Sequence, residues 1–206
     1  MHEYGLVSIG SHTGFWLQSE LEKFKNKKNI LIEPVPYNLT ELKENIKKYN
    51  NIIIEESAIS DKDEKIPFYF IKRDSIDKLK KHWASGIGSF NKLHILNHRT
   101  KRFLVSESDI ETIDIQCLSF ISLVSKYSIK KIDRLMLDVE GAEYKILKSI
   151  NLKSVIIKEI FFEKKHFDGH LKEGIKLEEI KNKFLNNNYL LEEVDDENML
   201  AKLKNS

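Results

Sequence analysis

Asp138, Glu140 and Glu143 stand two and three residues apart where the apolar run Leu135-Met136-Leu137 ends. Carboxylates so placed can exchange protons with a substrate or hold a cation. Ile132, Leu135, Met136, Leu137 and Val139 read as a short strand buried on both faces, and Gly141 supplies a turn before a helical pattern that begins near Ala142. In an open α/β sheet the carboxyl end of such a strand is where ligands bind. A second group lies near the N-terminus, where Gly10-Ser11-His12-Thr13-Gly14 separates an apolar strand pattern, Gly5 to Gly10, from a helical one. Glycines there let backbone approach a ligand, and the helix start offers free N–H groups. The same spacing also suits a plain strand-to-helix turn. Glu33 adds weight to the ligand reading, because it ends the next strand about twenty residues on, where an acid can accept both hydroxyls of an adenosine ribose. A Walker lysine motif and the full Gly-x-Gly-x-x-Gly fingerprint are both absent from the sequence, which argues against nucleotide hydrolysis and hydride transfer.

These residues need a scaffold, and strand patterns alternate with helical ones along the chain. Phe15 to Lys25 reads as a helix with Phe15, Trp16, Leu17, Leu21 and Phe24 inward, and Asn29 to Pro34 as a strand. A helix follows with Asn38 or Thr40 as its cap. Further strands are expected at Ile52–Ile54, Ile66–Ile71, Thr112–Leu118, Val155–Glu163, Tyr189–Leu191 and Met199–Ala201, with Pro67 favouring an edge or a strand start. Helices are expected at Ser119–Tyr127 and Leu177–Asn186. The stretch from Asp74 to about Arg102 has no clean period and reads as a functional loop region with some helix. The pattern predicts an α/β, Rossmann-like fold: a mostly parallel sheet with helices on both faces.

Composition narrows the function. With 206 residues and 41% apolar content, one domain over 1–206 is expected. The net charge of +2 arises from 34 basic and 32 acidic side chains spread along the chain, so no one-signed field points to nucleic acid or to an anionic membrane. Cys117 is the single cysteine and sits in an apolar stretch, which reads as core and excludes an internal disulfide. No window approaches the roughly 20 apolar residues of a membrane span, and the first residues lack a secretion signal, so a cytoplasmic location is expected.

Four segments in order, Val7-Ser8-Ile9-Gly10-Ser11-His12-Thr13-Gly14, Ile32-Glu33-Pro34, Ser57-Ala58-Ile59-Ser60-Asp61-Lys62-Asp63 and Leu137-Asp138-Val139-Glu140-Gly141-Ala142-Glu143, resemble the FkbM family of S-adenosylmethionine-dependent methyltransferases. The likeness spans nearly the whole chain, and the Asp-Val-Glu-Gly-Ala-Glu block is its most specific part. It implies a class I methyltransferase fold, with a seven-stranded sheet whose last strand is antiparallel. It also implies methyl transfer, commonly to a hydroxyl of a sugar, glycoconjugate or other small metabolite. By the same resemblance Gly10, Ser11, His12 and Gly14 would form the loop under the methionine part of the cofactor, and Glu33 with Pro34 would hold the ribose. Ser57 and Ala58 would flank the adenine, and Asp138 would face the methionine end and the acceptor. Trp83, Ser85, Gly86 and Ser89 resemble a loop that the family places near the acceptor.

Ser8 departs from the family, which usually has an acid there that helps to hold the cofactor. Losing a charge-assisted hydrogen bond costs on the order of 1.5–3 kcal/mol, which weakens binding roughly tenfold or more. The chain also starts almost directly at its first strand, so part of the usual cap over the site is expected to be absent or supplied by another subunit.

Removing a proton from an acceptor hydroxyl calls for a base. Asp138 ranks first, His166 second, with Glu140 and Glu163 behind. Asp138 and Glu140 with a third oxygen would suit Mg²⁺. Glu143 at a helix start reads as scaffolding, and His166, before Phe167-Asp168-Gly169, reads equally well as an exposed loop histidine. His94 and His98 would share a helix face, but without the intervening Glu of a zinc protease they read as acceptor contact or solvent-exposed side chains, and no residue is assigned to a metal. Two alternatives to the methyltransferase stay open: a cofactor-binding module of the same fold without turnover, and another nucleotide-binding Rossmann-like enzyme. The expected partner is a small-molecule or carbohydrate acceptor, with oligomeric state left open.

Overall fold

The computed structural model describes residues 2–169 and 172–204. In chain order its strands are β1 (Glu3–Ile9), β2 (Lys28–Ile32), β3 (Ile52–Glu55), β4 (Ala58–Ser60), β5 (Glu64–Ile71), β6 (Gly88–Ser89), β7 (Ile110–Ser119), β8 (Lys131–Leu137), β9 (Ile156–Glu163), β10 (Tyr189–Glu193) and β11 (Asn198–Leu203). The helices are α1 (Gln18–Lys23), α2 (Pro36–Ile46), α3 (Arg73–Leu79), α4 (Lys92–Asn97), α5 (Phe120–Lys126), α6 (Glu143–Ser149) and α7 (Ile175–Asn186). Seven strands form the main sheet in the order β10-β11-β9-β8-β1-β2-β3. β1 pairs in parallel with β2 and β8, and β11 runs antiparallel to both β9 and β10. This is the α/β sheet with an antiparallel last strand that the sequence led us to expect.

The central strands are buried on both faces, which is why they are written as apolar runs. Val7, Ile9, Leu135 and Leu137 belong to one core, while Leu6, Leu31 and Met136 pack on the other face with Leu17, Leu21, Leu39 and Leu42. Polar exceptions sit toward the strand starts, where Arg134 bridges Glu20 and Glu159 and Asp133 pairs with Lys27 and Lys158. Chain order runs outward in opposite directions from β1 and β8. A crevice therefore opens beyond their carboxyl ends, the position where open α/β sheets bind ligands.

Two of the expected strands do not join the main sheet. β5 pairs antiparallel with β7 over its full length and, with β4 and β6, they make a separate four-stranded sheet in the order β4-β7-β5-β6. Their composition explains this. Ile115 and Cys117 are buried in β7 while Asp114 and Gln116, which alternate with them, are exposed, the pattern of a sheet with one wet face. Pro67 lies outside the reach of β6, which pairs only Tyr69 and Phe70, so its missing N–H costs no ladder bond on that side. Cys117 is fully buried, and burial, with Glu64, Asp61 and Asp63 nearby, pushes its thiol up to about 12.

The irregular stretch from 74 to 102 builds a small core of its own, in which Ile76, Leu79, Ala84, Ile87 and Ile95 pack with Ile71, Phe103, Val105 and Ile110. Asp109, 1% exposed, ties this region together by accepting from the Ser106 backbone and hydroxyl, the Ser75 hydroxyl and Lys78. Although burial opposes its charge, those hydrogen bonds hold its carboxyl far below the usual range. The folded-state pKa is depressed, so the stability that Asp109 contributes is present above about pH 4 and is lost as the pH falls below it. Asp109→Ala is expected to cost about 2–4 kcal/mol at neutral pH. In urea titrations the gap from the wild type should narrow at pH 3, and a gap that persisted there would contradict this role.

Two local expectations fail. Phe15 and Trp16 do not point inward: they are 75% and 38% exposed, and helix α1 starts only at Gln18. Gly14 at φ +70 prolongs the turn, and Leu17 and Leu21 take the buried positions instead. Neither Asn38 nor Thr40 caps α2, which begins at Pro36 after Val35. Pro36 sets the helix start two residues ahead of Asn38, with a φ already suited to the first turn and no N–H of its own to satisfy. Among the described residues, no helix is long and apolar enough to cross a membrane.

Candidate functional site

Gly10 fixes the geometry at the end of β1. Its φ is +82, and a Cβ there would lie 1.8 Å from the Asp138 carbonyl oxygen. The loop after β1 therefore packs directly on the backbone after β8, a contact open only to glycine. The Gly10 and Ser11 amides both donate to the Ile32 carbonyl at 3.0 and 2.9 Å, and Asp138 N–H donates to the Ile9 carbonyl at 3.0 Å. Three strand ends are thus locked together.

Above them lies a cavity of about 620 Å³, a size suited to a cofactor-like molecule. Gly10, His12 and Trp16 line it after β1, and Glu33, Pro34 and Val35 after β2. Ser57 and Ala58 follow β3, and Asp138, Val139 and Glu140 follow β8. Trp83, Gly86, Ile87, Gly88, Phe68 and Phe90 close it from the side of the second sheet, and Glu163, Lys165, Glu197 and Asn198 complete the wall.

The cavity thus gathers Gly10, His12, Glu33, Pro34, Ser57, Ala58, Trp83, Asp138 and Glu140 from the sequence-predicted set, and leaves Ser11, Gly14, Ser85, Ser89, His94 and His166 off its wall. Ser11 donates its hydroxyl to the Ser8 carbonyl and accepts from the Ile32 amide, so its side chain is spent within the loop. The space beside Gly14 is taken by Leu42, 2.5 Å from where a Cβ would stand. Ser85 holds His12 by a 2.7 Å bond to Nε2, and Ser89 donates to the Glu140 carbonyl. Ser8 is fully buried within β1 and is not among the residues that line the cavity. The sequence reading missed Phe68, Phe90, Lys165, Glu197 and Asn198. Only Lys165, between Glu163 and His166, carried a local signal.

Electrostatics divides the acids. Glu33, 4% exposed, accepts from His12 N–H at 2.8 Å, Val35 N–H at 3.0 Å and Asn38 Nδ2 at 3.2 Å, and burial pushes it up to about 7. Asp138 is exposed, but to the cavity. The enclosing walls, then the charge of Glu140, push its carboxyl up to about 6. Glu143 is completely buried and accepts from Val139 N–H at 2.8 Å and Gly141 N–H at 2.9 Å. It scaffolds the loop through these bonds, and burial pushes it up to about 7. Burial, then the charges of Asp138, Glu143 and Glu140, push Glu163 up to about 9, against the opposing pull of Lys165. Lys165 bridges Glu163 at 2.6 Å and Glu197 at 2.9 Å.

Glu140 behaves differently from its neighbours. It takes φ 52, in the left-handed region, and turns its carboxylate to His94 Nε2 at 2.9 Å rather than joining Asp138 in an oxygen-only set. His166, read equally well as an exposed loop residue, is 3% exposed and stands beside it. Burial drives its imidazole down to about 3, which leaves it neutral and a weak base at physiological pH.

The sequence matches the profile described as Methyltransferase FkbM domain over residues 8–200. No curated protein sequence matches it. In structure it is similar to a methyltransferase FkbM from Methylobacillus flagellatus, with a TM-score of 0.55 and 12% identity, over 97% of this chain and 44% of that one. It is also similar to a pre-rRNA processing fibrillarin of Methanococcus jannaschii, with a TM-score of 0.50 and 12% identity, over 100% of this chain and 68% of that one. The chain spans less than half the length of the Methylobacillus protein. At such identities these likenesses show the fold, which is Rossmann-like, and the family rests on the profile. The chain belongs to the FkbM methyltransferase family.

Proposed function

We propose that this chain is an S-adenosylmethionine-dependent O-methyltransferase acting on a hydroxyl of a sugar, glycoconjugate or other small metabolite. The observation that carries the reading is the cavity at the switch point of the sheet, with Glu33 on one wall and Asp138 on another. Glu33 would take the ribose hydroxyls through Oε2, which accepts only the His12 N–H and keeps an acceptor site, while Oε1 is held by Val35 N–H and Asn38 Nδ2. Ser57 and Ala58 would flank the adenine, where Phe68 and Phe90 pack with Ala58 into an apolar wall. Gly10 and His12 would border the methionine portion, and Ser85 fixes the His12 ring. When bound, S-adenosylmethionine supplies an electrophilic methyl carbon on a positive sulfur.

The rest of the chemistry falls to the protein. Alignment of the acceptor oxygen with that carbon is a positioning task, and the aromatic faces of Trp16 and Trp83 on the cavity wall suit the apolar side of a sugar ring. Asp138 would accept the hydroxyl proton, and its enclosed setting makes it a stronger base than a carboxylate in water. Calorimetry with S-adenosylmethionine and S-adenosylhomocysteine is expected to show one site per chain. An acceptor screen that follows S-adenosylhomocysteine release should then find turnover. Absence of binding by either compound at millimolar concentration would remove the cofactor assignment, and binding without turnover on any hydroxyl acceptor would favour a module that has lost catalysis.

A further inference from the structure

His94 and His98 lie four residues apart on one face of α4 and at its C-terminal cap, Glu140 comes from the loop after β8, and His166 from the loop after β9. These separate segments converge on a point. Glu140 Oε2 is 2.9 Å from His94 Nε2, 3.6 Å from His98 Nε2 and 3.6 Å from His166 Nε2, and the His94 and His98 Nε2 atoms are 3.2 Å apart. One ligand atom from each of the four side chains lies within 4.8 Å of the other three. A regular tetrahedron with metal–nitrogen and metal–oxygen bonds of zinc type has edges of about 3.3–3.5 Å. The four separations straddle that length.

The rings agree with a shared centre. Their planes cross at 69° for His94 and His98, 80° for His94 and His166, and 59° for His98 and His166, so they splay around a point instead of stacking. The backbone supports the same focus, since Glu140 reaches it through a left-handed conformation, which costs a non-glycine residue on the order of 1–2 kcal/mol. Gly141, at φ +103, carries the turn past the His94 ring, which lies 3.6 Å from where a Cβ would be, an ordinary van der Waals distance. Three borderline imidazole nitrogens with one hard carboxylate oxygen make a nitrogen-dominated set, which suits zinc-type ions and not magnesium.

We propose that His94, His98, Glu140 and His166 form a closed four-ligand site for a divalent transition-metal ion of zinc type. The ion clamps α4 and its surrounding insertion to the loops that follow β8 and β9, and so fixes the rim of the cavity that His98 and Glu140 line. The site stands whether or not the chain transfers a methyl group, because its test reads metal alone.

The tag-free protein, stripped with chelator, is titrated with Zn²⁺ by calorimetry and with Co²⁺ by visible spectroscopy. One equivalent of each is expected to bind, with the intense visible bands of four-coordinate cobalt, and zinc should raise the unfolding midpoint by several degrees. His98→Gln and the double variant His94→Gln/His98→Gln should lower zinc affinity by at least about 100-fold, since each removes a direct ligand. Their unfolding midpoints in chelator provide the check on folding. Should the double variant fail to fold, His98→Gln alone decides, by loss of the cobalt spectrum. Failure of the wild type to bind either ion, or binding unchanged in folded variants, would overturn the site and leave a hydrogen-bonded histidine cluster in its place.

Discussion

Asp138→Asn is expected to lower the turnover number for methyl transfer roughly 10²–10⁴-fold, the range that a positioned general base contributes. Asparagine keeps the shape and one acceptor oxygen but takes up no proton. The donor affinity should fall more modestly, about tenfold, because the carboxylate also faces the end of the cavity assigned to the positive sulfonium. Loss of activity will not reflect unfolding. Asp138 lies among acids, and burial and the charge of Glu140 both oppose its ionised form, so removing its charge should leave the unfolding midpoint unchanged or higher. Steady-state release of S-adenosylhomocysteine at saturating donor, set beside a thermal melt of the same sample, measures both quantities. Turnover within about fivefold of the wild type would move the base to another group.

Gly10→Ala should damage the molecule more than any change that merely deletes a side chain. The added methyl would stand 1.8 Å from the Asp138 carbonyl oxygen and 2.8 Å from its carbonyl carbon, and these are backbone atoms with no rotamer to change. The left-handed φ of +82 adds a second penalty. Overpacking and the left-handed conformation together cost on the order of 3–5 kcal/mol. Relief requires parting the loop after β1 from the one after β8, which breaks the bond between Asp138 N–H and the Ile9 carbonyl and opens the floor of the cavity. The expected results are a lower urea midpoint and loss of ligand binding by calorimetry even where the protein still folds. A variant with wild-type stability and binding would show that the two loops are not held in contact as described.

The sequence by itself determined the central strands of the main sheet, because they are buried on both faces and must be written as apolar runs that end in glycine or acid. It also located Gly10, Glu33 and Asp138, since turn chemistry and a carboxylate at a strand end are local signals. Tertiary structure alone decided the rest. β5 and β7 look like further strands of one sheet, yet they pair with each other, because strand pairing depends on which distant face needs cover. Phe15 and Trp16 look like core, yet Gly14 delays the helix and leaves them at the surface. Ser8 looks like a cofactor contact, yet it is fully buried and is not among the residues that line the cavity. Asp138 and Glu140 show the limit most clearly. Two residues apart in a continued strand they would share a face and a chemistry. The strand ends at Leu137 and Glu140 turns left-handed, so one carboxylate faces the cavity and the other meets three histidines brought from two distant segments.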